Sequence, residues 1–175
     1  MPKLPALVLL AGALADGSKQ RRLTRVGASQ MPAWSPDGGR IAFTSGRDGN
    51  DDIYAIDVDG RSLQRLTRPV SEDFGASWSP DGRRLLLTSL RNGSFGIDVM
   101  NADGKKQRRL LDGRIGETLL PRWSSDGRRI AFQRVSDSGL EICVVNANGS
   151  GFRQVTHNDW LDAAPAWQPV AALRK

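Results

Sequence analysis

The chain has 175 residues, of which 39% are hydrophobic and 25% charged, and both fractions are ordinary for a globular protein. One cysteine excludes an internal disulfide framework and a cysteine-based zinc site, and no apolar stretch approaches the roughly 20 residues that span a bilayer. A net charge of +6 arises from basic residues that recur as pairs at repeated positions, without aromatic residues among them. This pattern favours solvated strand surfaces over a nucleic-acid site.

The amino-terminal segment, residues 1–15, has two interpretations. One positive charge, an apolar run and the Ala-Leu-Ala pattern at 13–15 are typical of a short secretory signal peptide. Alternatively, residues 8–14 form a strand of a partial repeat unit, because residues 15–23 match residues 102–110, which close a later unit. Both interpretations stay open at the level of the sequence.

Four tryptophans, Trp34, Trp78, Trp123 and Trp167, mark a repeat with spacings of 44, 45 and 44 residues. Ser-Pro-Asp-Gly follows the first two, and Ser-Ser-Asp-Gly follows the third. In such a turn proline presets φ, aspartate caps the turn and glycine takes the left-handed conformation. Each tryptophan strand is therefore expected to enter the next strand through a tight hairpin.

Three further strands are predicted in each unit. An apolar strand of the Ile-Ala-Phe type comes first, then a second apolar strand beginning with Ile, and an Asp-Gly or Asn-Gly turn leads to a short closing strand of the Leu-Thr type. The fold class is therefore all-β, with three complete four-stranded antiparallel blades of a β-propeller-type array. The predicted blades cover residues 31–67, 75–111 and 120–156.

The carboxyl end supplies one more tryptophan strand, residues 163–169, before a tail at 170–175. Together with residues 16–24 it predicts a partial blade split between the termini, within a repeat domain spanning 16–169. A ring closed this way has an unpaired strand edge, so we expect an open array that forms a homodimer completing a larger ring, or aggregates. The four tryptophans are expected to pack between neighbouring blades.

These motifs resemble the WD-like β-propeller repeat of the TolB family: Pro-x-Trp-Ser-Pro-Asp-Gly, an Ile-Ala-Phe strand, an Ile-Tyr strand ending near Asp-Gly, and a closing Leu-Thr. The resemblance covers residues 16–169. It implies a protein-docking propeller of the bacterial cell envelope, hence a periplasmic or otherwise extracytoplasmic location, with the cytoplasm as the alternative. Similar blades also form the gating domain of prolyl-oligopeptidase-like and tricorn-like peptidases. TolB-like propellers usually have six blades, and this chain supplies three complete ones.

Catalytic, cofactor and metal sites are not predicted. Segments 27–31 and 75–79 lack the last glycine of a nucleophile elbow, and His157 is the single histidine, so we expect no enzyme activity. Cys143 lies in an apolar strand and is expected in the core. Residues 48–52 have the alternating oxygens of a calcium loop, but Ile53 stands where that loop needs glycine, which favours a polar hairpin loop.

The remaining signal lies just before each tryptophan strand, where a propeller crowds residues onto one rim near its axis. The residues proposed there to bind a protein or peptide are Asp73, Phe74, Glu117, Trp160 and Asp162. The alternative is ordinary loop solvation around partly buried aromatic rings. The sequence thus predicts a non-enzymatic scaffold that binds through one rim, with no cofactor. The alternatives are an accessory segment of a peptidase whose catalytic domain is absent, and a gene fragment without independent function.

Overall fold

A computed structural model describes residues 22–24, 28–68, 70–137, 139–157 and 160–168. Within them lie twelve β-strands and one short 3₁₀ helix at Gly113–Ile115, and no described helix has the length and apolarity to cross a bilayer. The all-β class is confirmed. The strands are β1 Ser29–Trp34, β2 Arg40–Ser45, β3 Asp52–Asp57, β4 Gln64–Arg65, β5 Asp73–Trp78, β6 Arg84–Arg91, β7 Ser94–Asn101, β8 Arg108–Leu111, β9 Thr118–Trp123, β10 Arg129–Ser136, β11 Gly139–Asn146 and β12 Arg153–Gln154.

The strands form three separate four-stranded antiparallel sheets in simple chain order: β1–β4, β5–β8 and β9–β12. We call them blades 1, 2 and 3. Each is the four-stranded meander expected from its hairpin signals, and the three complete blades of the prediction are confirmed. The sheets do not close into a ring among the described residues, as expected for a partial propeller.

The turn after each tryptophan strand has the geometry that its residues predict. In blade 1 the Ser35 hydroxyl donates to Asp37 Oδ1 at 2.6 Å, the Gly39 amide donates to the same oxygen at 3.0 Å, and Gly38 has φ +69°. The other two blades repeat the serine–aspartate bond at 2.6 Å, although the third turn has serine in place of proline. Serine and aspartate therefore determine this turn, and proline is dispensable.

A β-bulge interrupts each tryptophan strand three residues before the indole. Met31, Gly75 and Leu120 hold this position with φ of 51°, 67° and 49°, and the strand pairing shifts by one residue beside them. The backbone amide that the bulge leaves unpaired donates a hydrogen bond to a threonine hydroxyl of the preceding blade. Gly75 N donates to Thr44 Oγ1 at 3.1 Å, and Leu120 N donates to Thr88 Oγ1 at 2.9 Å. The bulge thus ties neighbouring blades together.

The hydrophobic core lies between blades. Trp78, 8% exposed, packs with Ala42 and Ile53 of blade 1 and Leu85 of its own blade. Trp123, 7% exposed, packs in the same way on blade 2, so both are buried at blade-to-blade contacts as predicted. Trp34 differs from the expectation: it is 48% exposed, because no described blade precedes blade 1 and covers its indole.

The expected partial blade falls partly outside the described residues, which omit 1–21 and 169–175. The choice between a signal peptide and a strand at residues 8–14 therefore lies outside the described residues. The described piece, residues 22–24, lies beside blade 1, where Leu23 packs against its apolar cluster and near Gly60. Leu66 and Leu110 lie next to the equivalent glycines, Gly104 and Gly149, of the following blades, Leu66 through its backbone and Leu110 through both backbone and side chain. Leu23 therefore occupies the place of a closing-strand leucine.

At the carboxyl end, residues 160–168 follow the path of a tryptophan strand against blade 3. Ala164 has φ 52°, like Gly75 and Leu120 at the equivalent positions. The Trp167 indole donates to Arg122 O at 3.0 Å, just as the Trp78 indole donates to Ala33 O at 3.1 Å. The segment is not a β-strand, because no described residues pair with it as a second strand.

Candidate functional site

One end of the blades carries both the loops between second and third strands and the connectors between blades, because adjacent strands are antiparallel. We call this end the connector rim, made by loops 46–51, 92–93 and 137 and by connectors 66–68, 70–72, 112–117, 155–157 and 160–161. Loops carried on rigid sheets are the usual place for binding residues. The rim is where the sequence predicted a binding surface.

Two cavities adjoin on the rim between blades 1 and 2 and beside blade 2. The first, of about 500 Å³, lies between Asn50, Ser71 and Glu72 on one side and Gly93 on the other. The second, of about 410 Å³, is lined by Arg91, Arg109 and Arg114 together with Asp112. Asn92 lines both, so the two cavities adjoin, and we call them together the rim groove.

The rim also carries the most exposed large apolar side chains of the described residues. Val70 is 94% exposed, Trp160 is 78% exposed and Leu161 is 74% exposed. Val70 lines the first cavity, whereas Trp160 and Leu161 follow blade 3 and are not among the residues that line either cavity. Exposed large apolar groups are typical of an interaction surface. Phe74 lies behind this surface and is half-buried, with its ring edge-on to Phe95 at a centroid distance of 5.4 Å.

Asp73 is not the surface acid that the sequence suggested. It is 1% exposed, and its amide donates to Asp51 O at 2.8 Å, which ties the start of β5 to blade 1. Burial raises the pKa of Asp73 to about 6, against smaller opposing effects that include a hydrogen bond from Ser89, while the nearby Asp98 carboxylate raises the pKa further. Asp73 therefore supports the rim from inside the blade junction.

Asp162 lies at the place of Asp73 in its own unit, five residues before the tryptophan, whereas Glu117 lies six residues before Trp123, at the place of Glu72. Glu117 is half-buried and its carbonyl accepts from the Val135 amide at 2.8 Å. Asp162 N donates to Leu140 O at 3.0 Å, which is the counterpart of the bond from Asp73 to Asp51. The predicted residues thus occupy neighbouring repeat positions at the start of each tryptophan strand, and Phe74 contacts Phe95 and not another member of the set.

A buried ion cluster under the groove was missed by the sequence analysis. The Asp98 carboxylate, fully buried, pairs with Arg109 Nε at 2.7 Å and with Arg91 Nη2 at 2.8 Å. Gln107 Nε2 also donates to it at 3.1 Å. A signal was present: Asp98 stands inside an apolar strand, and a buried carboxylate requires a charged or hydrogen-bonding partner.

The loop with calcium-like spacing directs its oxygens toward protein groups. Asp48 accepts from the Tyr54 hydroxyl and from Arg65 Nη1, and Asp52 is paired with Arg65 Nη2. Desolvation, followed by the hydrogen bond to Asp48, raises the pKa of Tyr54 to about 12. Among the described residues no cluster of three or more His, Cys, Asp and Glu side chains could hold a metal ion.

The residues considered for catalysis are dispersed in the part of the chain that the structure describes. Ser29 and Ser77 are buried in tryptophan strands, whereas His157 is exposed after β12 and makes no hydrogen bond to either serine. Cys143 is fully buried as expected, and burial raises the pKa of its thiol. A buried thiol with a raised pKa is a poor nucleophile.

Comparison with known proteins supports the same architecture. Residues 5–171 match the family model described as the TolB beta propeller domain. The Tol-Pal system protein TolB of Thioalkalivibrio sulfidiphilus is 40% identical over 53 residues, which are 30% of this chain and 12% of that protein.

Two solved structures are similar over most of the chain. An Agrobacterium tumefaciens protein assigned as TolB matches with a TM-score of 0.74 and 26% identity, over 79% of this chain and 52% of that one. TolB from Acinetobacter baumannii matches with a TM-score of 0.68 and 28% identity, over 82% of this chain and 36% of that one. The chain therefore spans about half or less of the length of these relatives.

Proposed function

Because the chain belongs to the TolB beta propeller domain family, we propose that it is a non-enzymatic scaffold that binds a protein or peptide through the connector rim. The observation that carries the proposal is the exposure of Val70, Trp160 and Leu161 on this rim, where Val70 also lines one of two adjoining cavities. Exposed aromatic and aliphatic groups supply the apolar anchors from which interfaces draw most of their binding energy.

The groove has the chemistry for a partner of mixed polarity. Its arginines Arg91 and Arg109 are held by Asp98, and Arg114 pairs with Asp112 at 3.1 Å, so the walls are polar but locally neutralised. Side chains fixed in this way lose little conformational entropy when a partner binds. Phe74, Glu117 and Asp162 complete the proposed contact surface, and Asp73 acts through the backbone it anchors.

We further propose an extracytoplasmic location and a homodimer as one assembled form. The location is supported by the likeness to a Tol-Pal system protein. The homodimer is supported by the exposed indole of Trp34 and by Ile142 and Val144, which are half-buried on the outer face of blade 3. Both faces are ones that a complete propeller covers with a further blade.

Binding through the connector rim can be tested by selecting, from a displayed random-peptide library, peptides that bind the purified chain. Peptides that bind the chain are expected to lose about tenfold or more of their affinity for Trp160→Ala, because this indole is the largest exposed anchor. Leu63→Ala is the matched control, since Leu63 is also exposed but lies outside the rim. Binders that show equal affinity for the chain and for both Trp160→Ala and a Val70→Ser variant would contradict the proposal.

Hydrolysis assays separate the scaffold from the peptidase-accessory alternative. The purified chain is expected to leave peptide and ester substrates intact, because its serines and His157 are not assembled into a catalytic site. Cleavage that disappears in His157→Ala would overturn this expectation. If the chain bound a separately added α/β-hydrolase and no other protein or peptide, the result would favour its role as an accessory segment of a peptidase.

A further inference from the structure

The inner tryptophan strands line a second groove, away from the connector rim. It has a volume of about 310 Å³ and lies where the strands lead into their turns. Its walls include Pro32, Trp34, Pro36, Ser77, Trp78 and Arg122. Tryptophan and proline rings make these walls rigid and flat, and one guanidinium supplies the charge.

Arg122 departs from the repeat at this groove. The residue before the tryptophan is Ala33, Ser77 and Ala166 in the other three copies. Arg122 is half-buried, and its Nη1 donates to Pro121 O at 3.1 Å. Among the described residues no carboxylate lies within ion-pair distance of it, and burial alone lowers the pKa of its guanidinium.

Three other arginines, by contrast, have compensated charges. Arg65 pairs with the fully buried Asp52, and Arg91 and Arg109 both pair with the fully buried Asp98. Withdrawing a cation from water without an opposite charge is unfavourable, because lost hydration is not replaced. Arg122 lines a cavity without such a compensating charge, and an anion that binds in the cavity would supply it.

We propose that this groove binds an acidic peptide segment of a partner protein, with Arg122 holding a carboxylate of that segment. A guanidinium and a carboxylate form two parallel charge-assisted hydrogen bonds. The rings of Pro32 and Pro36 in the groove wall offer flat apolar faces on which an extended peptide packs. The bond to Pro121 O restrains the guanidinium and reduces the entropy lost on binding.

This site is independent of the proposed rim surface. Asp73 begins β5 on the rim and Trp78 ends the same strand at the groove, so the two sites are separated by roughly 15 Å of extended chain. A variant at the groove therefore leaves the rim intact, and the reverse also holds.

Three synthetic peptides test the proposal by two-dimensional ¹H–¹⁵N NMR, read at the Trp34 indole and at Arg122 Nε. The first is acetyl-Ala-Pro-Glu-Pro-Ala-amide, the second has Gln in place of Glu, and the third is the Gln peptide with a free carboxyl terminus. Saturable shifts with the Glu peptide are expected, with about tenfold or greater weakening for the amidated Gln peptide, because a charge-assisted hydrogen bond is lost. Binding of the free-terminus peptide alone also supports the proposal and assigns the carboxylate to a chain end.

Arg122→Gln and Arg122→Ser are each expected to abolish the preference for a peptide that carries a carboxylate. Serine is chosen because blade 2 has Ser77 at the equivalent position. Arg129→Gln is the matched control, because it removes the same charge from the same blade at a site where Arg129 stacks over Trp167 at 5.1 Å. Trp160→Ala is expected to leave peptide binding unchanged. Equal shifts with Glu and Gln peptides, no saturable shift with any peptide, or undiminished Glu-peptide affinity in both Arg122 variants would overturn the proposal.

Discussion

Individual residues at equivalent places of the three blades have diverged while the backbone has stayed the same. Blades 1 and 3 carry a buried acid, Asp52 or Glu141. It accepts a hydrogen bond from a threonine hydroxyl just after the closing strand, Thr67 at 2.9 Å or Thr156 at 2.8 Å. Blade 2 has Gly96 at this place, and an added Cβ there would lie 1.7 Å from Arg109 Nη1. In blade 2 the arginine occupies the space of the missing acid and pairs with Asp98 two residues further on.

The buried carboxyl group of Asp73 is expected to make the folding stability of the protein depend on pH. Its pKa of about 6 in the folded chain lies above the ordinary 3.8, so between about pH 4 and 6 the folded state keeps a proton that the unfolded state has lost. Stability from this group therefore falls as pH rises through that window, and its ionisation opposes folding at neutral pH by up to about 3 kcal/mol. Asp73→Asn removes the charge, and its melting temperature should exceed that of the parent chain at pH 7.5 but not at pH 4.5.

Thermal unfolding of both proteins across this pH range measures the effect. Glu72→Gln is the control, because Glu72 is exposed and adjacent in sequence. A melting-temperature difference for Asp73→Asn that is the same at both pH values, or that has the opposite sign at pH 7.5, would show that the buried charge does not oppose folding.

Trp78 and Trp34 hold one repeat position in different surroundings, which makes them a matched pair. Trp78→Ala should cost about 3–5 kcal/mol, because it leaves a cavity between blades and removes the bond from its indole to Ala33 O. Trp34→Ala should cost less than about 1 kcal/mol, as expected for a half-exposed side chain. Denaturant unfolding measures both, and similar losses would refute the difference in packing.

At the scale of elements, the turns between third and fourth strands join neighbouring blades. Gly104 has φ +81°, and a Cβ on it would lie 2.5 Å from Leu66 O of the preceding blade. Gly149 repeats the contact with Leu110 O at 3.0 Å. Glycine is needed here for two reasons: the left-handed backbone, and the close approach of another backbone.

Comparison of Gly104→Ala with Gly93→Ala separates the two reasons. Gly93 has a similar φ of +76° but nothing within 4 Å of an added Cβ. Gly93→Ala should cost about 1 kcal/mol from backbone strain alone, and Gly104→Ala about 2–4 kcal/mol because overpacking adds to it. Equal losses in denaturant unfolding would mean that blade 2 moves away from Leu66 without cost.

At the scale of the whole molecule, three stacked blades bury one another but leave two outer faces. Blade 1 exposes Trp34, and blade 3 leaves Ile142 and Val144 half-buried beneath residues 160–168. A repeat array gains stability from each interface between neighbours, and its outermost faces lack one. These faces are the physical reason to expect self-association.

Light scattering after size exclusion should therefore give a mass near twice the 19.1 kDa of the chain, or larger aggregates. Trp34→Glu should shift the population toward monomer, because it places a charge on an outer face. Trp160→Glu is the control, since it alters an equally large indole on the connector rim. A monodisperse monomer that resists proteolysis at both ends would contradict the expectation and indicate closure within one chain.

The sequence by itself determined the strands, turns and blades of this protein. Turn geometry depends on residues a few positions apart, as in Ser35 and Asp37, and strand faces depend on alternation, so both are readable from local chemistry. The periodic tryptophans also located the connector rim, since equivalent positions of stacked units lie at the same end of the array.

Only the tertiary structure decided which repeated residues are buried. Trp34 and Trp78 are both followed by Ser-Pro-Asp-Gly, yet one is half-exposed and the other covered. Asp73 resembles a rim acid, but its side chain enters the junction with blade 1. Burial depends on whether a neighbouring blade lies against the residue. Whether a charge is compensated depends on residues of other strands: Asp98 pairs with Arg91 and Arg109, whereas no carboxylate among the described residues pairs with Arg122. Such contacts join residues distant in the chain, so no local pattern encodes them.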